Sequence, residues 1–386
     1  MGIKKVIHRE IQRMLSRQIY LVAIVIIPLI SYFFFMTLFS EGLPKDLPVA
    51  VIDNDNTSSS RDFIRQIDIM QMARVSMQLN SFTEAETEMK KGHIFAFVII
   101  PENFQADVMA SRQPKLTFYY NNAFFIPGSL LMRDLNTISG LSSASVALSA
   151  GLAKGQTEAG LMGQLQPIVL DAHLIGNPYT NYSVYLSNVL MPGILQLMIM
   201  LMTVFAIGLE LKERTGRQWL RMADMSIVKA LTGKLLPYTI VFTVMVIFQN
   251  ILLFRISQFP LHSNILTMII ASIFFVLATQ AIGIVLIGIL PVLRIGMSCA
   301  AVIGILGISF SGFTFPIEHM PVFIQSIAQL FPMRHFFEIY QNSALNGAPL
   351  NYYWYSYLYL LITILVPFII LYRLKQALIH QNYAVR

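Results

Sequence analysis

Three groups of residues in this chain have types and spacing suited to chemistry. Asp53 and Asp55 in IDNDNTSS form an oxygen-rich loop after an apolar run. Such loops bind calcium through carboxylate and carbonyl oxygens. The same residue types close turns and cap helix starts, which is the preferred reading here. A second group is ionic. The stretch 210–234, ELKERTGRQWLRMADMSIVKALTGK, sets Lys212, Arg214, Arg217, Arg221, Lys229 and Lys234 against Glu210, Glu213 and Asp224. It lies between two long apolar runs and reads as a charged, helical loop, suited to contact with a soluble partner. The third is Arg334 with Glu338, four apart and therefore on one helix face, where they can pair as a structural ion pair.

Enzymatic signatures are absent: the chain has no G-x-x-x-x-G-K-[ST] loop, no H-E-x-x-H helix and no G-x-S-x-G elbow. The histidines are scattered, and the single cysteine, Cys299, sits in an apolar run. No catalytic residue and no metal ligand is assigned, and the chain cannot bind a nucleotide by a P-loop on its own.

The elements that hold these residues belong to a membrane. The chain is 55% hydrophobic and only 12% charged, against about 25% charged in soluble domains. Its net charge of +7 sits on short flanks of apolar runs, with no basic stripe interleaved with aromatics, which argues against a nucleic-acid partner. Residues 1–18 place Ile3, Val6, Ile7, Ile11, Met14 and Leu15 at helical spacing among five cations. This predicts either an amphipathic helix lying in the inner membrane surface or a solvated basic flank that sets topology. Residues 19–40 form a first span, too long for a signal-peptide core of about 7 to 15 residues and lacking a small-x-small cleavage site. Five further spans fall in 184–386, at about Val184–Leu209, Leu235–Phe254, Ile265–Leu290, Ile295–Phe315 and Tyr352–Tyr372. The inside segments then carry 15 of the 27 basic residues, which puts both termini and 210–234 on the cytoplasmic side.

Residues 41–183 contain no run long enough to cross, and they read as an extracytoplasmic α/β domain. Pro48–Ile52, Ile94–Ile100 and Lys115–Tyr120 are predicted strands. Ser59–Met70 and Thr83–Lys91 are predicted helices, the second opened by a capping box of Thr83 and Glu86. A long, weakly amphipathic helix is expected over Gly128–Gly155. Near the other end, Pro316, Pro321 and Pro332 interrupt an apolar region that holds Glu318, Arg334 and Glu338. Such charges are not tolerated facing lipid, so 316–347 reads as a re-entrant hairpin of short helices shielded by protein at the outer side. Gln249, Asn250 and Gln280 at membrane depth suggest inter-helical hydrogen bonds or a pathway lining, and Gly283, Gly288, Gly304 and Gly307 close helix approach.

This layout resembles the membrane subunit of type-2 ABC exporters. In that family a cytoplasmic loop after the second span carries an E-R-G-T-like run, a Pro-Ser turn and Gly-Lys. Here Glu213-Arg214, Ser226 and Gly233-Lys234 match, Thr215-Gly216 is inverted, and Asp224 stands at the usual proline. The family's outer motif, an apolar Gly-Phe leading to F-P-x-x-x-M-P and later a Pro-rich hairpin ending in Gly, resembles Gly312-Phe313, Phe315-Pro316, Met320-Pro321, Phe331-Pro332 and Gly347 here. The large domain between the first two spans is similar to the subgroup that works with periplasmic adaptors.

The resemblance implies a polytopic α-helical membrane protein with six transmembrane helices and an inserted extracytoplasmic α/β domain, located in the inner membrane. It implies a permease without a cofactor of its own, forming a homodimer or heterodimer and exporting drugs, lipids or other amphipathic compounds. ATP and magnesium would sit on separate ABC ATPase subunits. Glu210, Glu213, Arg214, Gly216, Arg217, Ser226 and Lys234 would couple to them, with Glu210 and Glu213 both candidates for the coupling acid. The alternative reading is a membrane-anchored receptor or structural protein whose extracytoplasmic domain binds a partner. A neighbouring reading frame encoding a P-loop ATPase would favour the permease.

Overall fold

The computed structural model describes residues 2–110, 112–165, 176–177 and 180–380. They fall into two compact units, one of residues 43–172 and one of the remaining chain.

The smaller unit is built on a four-stranded sheet of order β2-β1-β3-β4, with β1 Leu47–Asp53, β2 Ala73–Gln78, β3 Ala96–Ile100 and β4 Thr117–Tyr120. β1 runs parallel to β2 and β3, and β4 is antiparallel to β3. β1 is apolar on both faces because both are covered. Val49 and Val51 pack with Phe63, Ile67, Leu131 and Leu135, while Ala50 and Ile52 pack with Ala85, Ile94 and Phe97. Residues Leu131, Leu135 and Ile138 come from the long helix, which runs Phe125–Ala153. The oxygens of IDNDNTSS are engaged in turn and cap chemistry. Asp53 Oδ1 accepts the amides of Asp55 and Asn56 at 3.1 and 3.0 Å, its Oδ2 accepts Ser60 Oγ at 2.7 Å, and Thr57 caps helix Ser58–Ile69.

Two local expectations change. β2 is an additional strand, at the sheet edge. Helix Phe82–Lys90 starts at Ser81, whose side chain accepts the Glu84 amide at 3.3 Å, so the Thr83–Glu86 capping box does not form. Ser81 and Glu84 have the same S/T-x-x-E spacing two residues earlier, and the earlier cap wins.

Among its described residues the larger unit contains five helices long and apolar enough to cross a membrane: Gln18–Leu38, Tyr182–Lys212, Ile227–Ile256, Ile265–Ile289 and Trp354–His380. The apolar helix Leu293–Ser309 has 17 residues and falls short of the roughly 20 that a bilayer requires. Gln18–Leu38 carries a π-helical turn at Val22–Ile26 just before Pro28, where the ring removes a backbone donor. Tyr182–Lys212 is the central helix. Leu293–Ser309 lies so close to it that a Cβ on Gly304 would come 2.7 Å from Leu197 Cδ1. Asn250 bonds Ser272 at 3.1 Å, and Gln280 accepts Thr239 Oγ1 at 2.8 Å. Gln249 Oε1 is buried without a hydrogen-bond partner among the described residues.

Candidate functional site

The stretch 210–234 is three helical pieces joined by tight turns rather than one loop. Glu210 lies in the last turn of Tyr182–Lys212, Gly216–Met222 is a short helix, and Ser226 caps Ile227–Ile256 by accepting the Lys229 amide at 3.4 Å. Arg214 turns the chain between the first two pieces with φ 57°, and Asp224 and Met225 turn it between the second and third with φ 57° and 58°. A proline, with φ held near −65°, cannot take this left-handed conformation, whereas aspartate tolerates it. That accounts for Asp224 at the position where the resembling family has proline. Lys229 Nζ then bonds Asp224 Oδ2 at 3.1 Å.

Lys234 and Glu210 meet inside. Both side chains are 0% exposed, and Lys234 Nζ lies 2.9 Å from Glu210 Oε1. The other partner of Lys234 is Glu10, 1% exposed and 2.7 Å away. Tyr238, one turn after Lys234, donates its hydroxyl to Glu10 Oε1 at 2.7 Å. The Lys234 ammonium also stands 5.1 Å from the centre of the buried Trp219 ring, a favourable contact for a desolvated cation.

Around this core Arg13 reaches Glu210 at 2.6 Å and Glu213 at 2.5 Å, Arg9 reaches Glu210 at 3.0 Å, and Arg17 reaches Glu213 at 3.0 Å. The Thr215 hydroxyl donates to Glu210 Oε2. Burial works against the charge of Arg13, but Glu210, Glu213 and Glu10 outweigh it and raise its pKa. Removing one member of such a buried cluster leaves a desolvated charge uncompensated, which ties the members together.

The N-terminal helix Gly2–Ser16 therefore docks through Val6 of its apolar pattern together with Gly2 and Glu10, which that pattern did not include. Its buried residues are Gly2, Val6 and Glu10, spaced by four. Ile11 and Leu15 stay exposed, Leu15 at 84%. The docking is close: a Cβ on Gly233 would lie 2.9 Å from Val6 Cβ and 3.2 Å from the Ile3 carbonyl. Gly216 is similarly placed, 2.9 Å from the Leu378 carbonyl by the same construction, and Arg217 Nε donates to the Ile379 carbonyl at 2.5 Å.

The candidate coupling residues thus divide. Glu210, Lys234 and Gly216 are buried, Ser226 is half-buried, and Glu213, at 30% side-chain exposure, Arg214 and Arg217 lie at the surface, as does the neighbouring Arg221. Glu10, Trp219 and Tyr238 complete the cluster and were not singled out from sequence, whereas Arg9 and Arg13 were noted only as N-terminal cations and Thr215 only as a departure from the family motif. One signal was present: Glu10 is the lone acid in a helix of basic residues, four after Val6.

The outer hairpin is separate. Pro316 and Pro321 immediately precede the short helices Ile317–His319 and Val322–Ala328, and Pro332 is the first residue of Pro332–Ile339, positions where a missing amide is harmless. Arg334 and Glu338 share the last of these but do not form the expected ion pair. Glu338 Oε2 instead accepts Ser356 Oγ at 2.8 Å, and Arg334 Nε and Nη1 are buried without a hydrogen-bond partner among the described residues. Glu318 is exposed, at the rim of a cavity that Arg334 and Glu338 also line.

Residues 19–373 match the family described as ABC-2 family transporter protein. The chain belongs to the ABC-2 transporter family. This ABC-2 protein is also similar to the probable multidrug ABC transporter permease YbhR of Escherichia coli (strain K12). The two are 26% identical over 189 residues, covering 47% of this chain and 49% of that protein. The same figures hold for YbhR of Escherichia coli O157:H7. The chain matches these curated relatives over about half their length. Family membership makes it a helical membrane protein of an ABC transporter family.

Proposed function

We propose that this ABC-2 protein is the permease of an ATP-driven exporter and that the cluster around Glu210 is the block through which separate ATPase subunits move the spans. The observation that carries this reading is Lys234, buried between Glu10 and Glu210. It locks the N-terminal helix, the end of Tyr182–Lys212 and the start of Ile227–Ile256 into one body. The exposed charges of Glu213, Arg214, Arg217 and Arg221 form its outer surface, available to a soluble partner. ATP-dependent closure of the ATPases shifts the permease only if this surface makes different contacts in the two states. Glu213, partly exposed and held by Arg13 and Arg17, is the coupling acid in this reading, and Glu210 is the buried tie behind it.

The accompanying topology has six spans, with Leu293–Ser309 as the short one, in an inner membrane. Both termini and 210–234 are cytoplasmic, the sheet unit is extracytoplasmic, and 316–347 is re-entrant from the outer side. The exposed Ile11 and Leu15 suit an N-terminal helix lying on the membrane surface. The permease pairs with a second copy or a similar subunit, and the sheet unit offers a contact for a periplasmic adaptor. The cargo is an amphipathic drug or lipid, and similarity to a protein named as a probable multidrug permease favours drugs.

Glu213→Ala is expected to leave the permease–ATPase complex assembled while uncoupling ATP hydrolysis from transport. Unchanged transport by this variant would remove Glu213 from the coupling role. Impermeant thiol labelling of introduced cysteines tests the topology, and labelling at 210–234 but not in the sheet unit of intact cells would reverse it.

A further inference from the structure

The outer hairpin holds a cavity of about 300 Å³ whose wall includes Arg334, Glu318, Glu338, Gln341, Asn342 and Ser311. It belongs to the larger unit alone and shares no residue with the charged cluster around Glu210. Its volume lies at the small end of the range for ligand pockets, about 300–1,000 Å³, which suits a headgroup-sized molecule.

The charges are unevenly satisfied. Arg334 Nε and Nη1 are buried, and neither has an acceptor among the described residues. Glu338, on the same helix, forms no ion pair with Arg334, and its Oε2 accepts the Ser356 hydroxyl at 2.8 Å. Buried guanidinium N–H groups are costly unless an acceptor reaches them, and phosphate and carboxylate oxygens are their strongest acceptors. A simple anion would meet Arg334 but also the two carboxylates of Glu318 and Glu338. A simple cation would meet the carboxylates but leave the guanidinium unsatisfied. A molecule with an anionic oxygen group and a cationic nitrogen a few bonds apart satisfies both.

We propose that this cavity is a binding site for a compact aminoalkyl phosphate zwitterion, of the kind found as the headgroup of an amine-bearing phospholipid. The phosphate lies on Arg334, and the ammonium donates to Glu318 and Glu338. The amides of Gln341 and Asn342 supply the remaining polar wall.

The test uses the purified full chain in detergent, with binding followed by native mass spectrometry. The probes are phosphatidylethanolamine, phosphatidylcholine, phosphatidylglycerol and free phosphoethanolamine. Phosphatidylethanolamine is expected to bind most tightly, since phosphatidylglycerol lacks the amine and phosphatidylcholine has no N–H to donate. Arg334→Gln is expected to weaken phosphatidylethanolamine by at least about tenfold, the scale of one lost charge-assisted contact. Glu318→Gln, at the exposed rim, is expected to reduce the preference for ethanolamine over choline, with Glu338 left as the remaining carboxylate for the ammonium. It keeps the test decisive if Arg334→Gln fails to fold. Free phosphoethanolamine binding as tightly as the lipid would support the site with a soluble source, and binding of the lipid alone would support a membrane source. Phosphatidylglycerol binding as tightly as phosphatidylethanolamine would overturn the proposal. So would an unchanged phosphatidylethanolamine affinity in Arg334→Gln, or an unchanged ethanolamine preference in Glu318→Gln.

Discussion

Substituting Lys234 by methionine removes the cation between two buried carboxylates while keeping most of the side-chain volume. Glu210 retains Arg9, Arg13 and the Thr215 hydroxyl. Glu10 retains only the hydroxyl of Tyr238 among its described side-chain partners. The damage should therefore concentrate on Glu10, a desolvated carboxylate without a counter-ion. Breaking a buried pair from one side costs about 3–5 kcal/mol, and Lys234→Met is expected in that range. Neutralising the orphan by Glu10→Gln in the same chain removes the uncompensated charge. The double variant should then be more stable than the sum of the single effects by about 0.5–3 kcal/mol, the usual coupling between contacting residues. Equilibrium unfolding in detergent, followed by helical signal, measures all four corners of the cycle. Strict additivity would refute the account of Lys234 as the tie between the N-terminal helix and the spans.

Gly233→Val places a branched side chain where a Cβ would already lie 2.9 Å from Val6. Overpacking of this kind costs about 1–3 kcal/mol and should lift the N-terminal helix, read as faster proteolysis near Arg9 and Arg13; unchanged proteolysis would refute the close docking. His335 is buried, stacks on Tyr359 with ring centres 4.8 Å apart and donates Nε2–H to the Gln329 carbonyl. Burial pushes its pKa down to about 4. The folded state thus favours neutral His335, and this contribution is complete above the unfolded value near 6.5 and is lost as pH falls toward 4, amounting to about 3 kcal/mol. His335→Gln should flatten the stability profile by that amount over the same window, and a wild-type slope in this variant would contradict the assignment.

How much of this was legible in sequence depended on whether the signal was local. The spans follow from continuous apolar runs, and the observed helices depart from the expected ranges mainly at their ends. β1 and β3 announced themselves by β-branched residues, whereas β2, ARVSMQ, has only Ala73, Val75 and Met77 to mark its alternation at a sheet edge. The docking stripe of the N-terminal helix was not legible, because the apolar wheel runs on through Ile11 and Leu15, which stay exposed, while the packing uses Glu10. Burial of a carboxylate is a tertiary property, since its partners Lys234 and Tyr238 lie more than two hundred residues away. The Arg334–Glu338 pair failed for a related reason. Helix spacing brings the two close, but Ser356 from another element competes for the carboxylate.

The central claim is that the charged surface of 210–224 meets an ATPase. Photo-crosslinking residues placed at Arg214, Arg217 and Arg221, and at exposed control positions Arg65 and Lys90 in the sheet unit, test it in intact cells. A P-loop ATP-binding protein should be captured from the first set and not from the second. Capture of that protein from the sheet unit, with none from 214–221, would contradict the account.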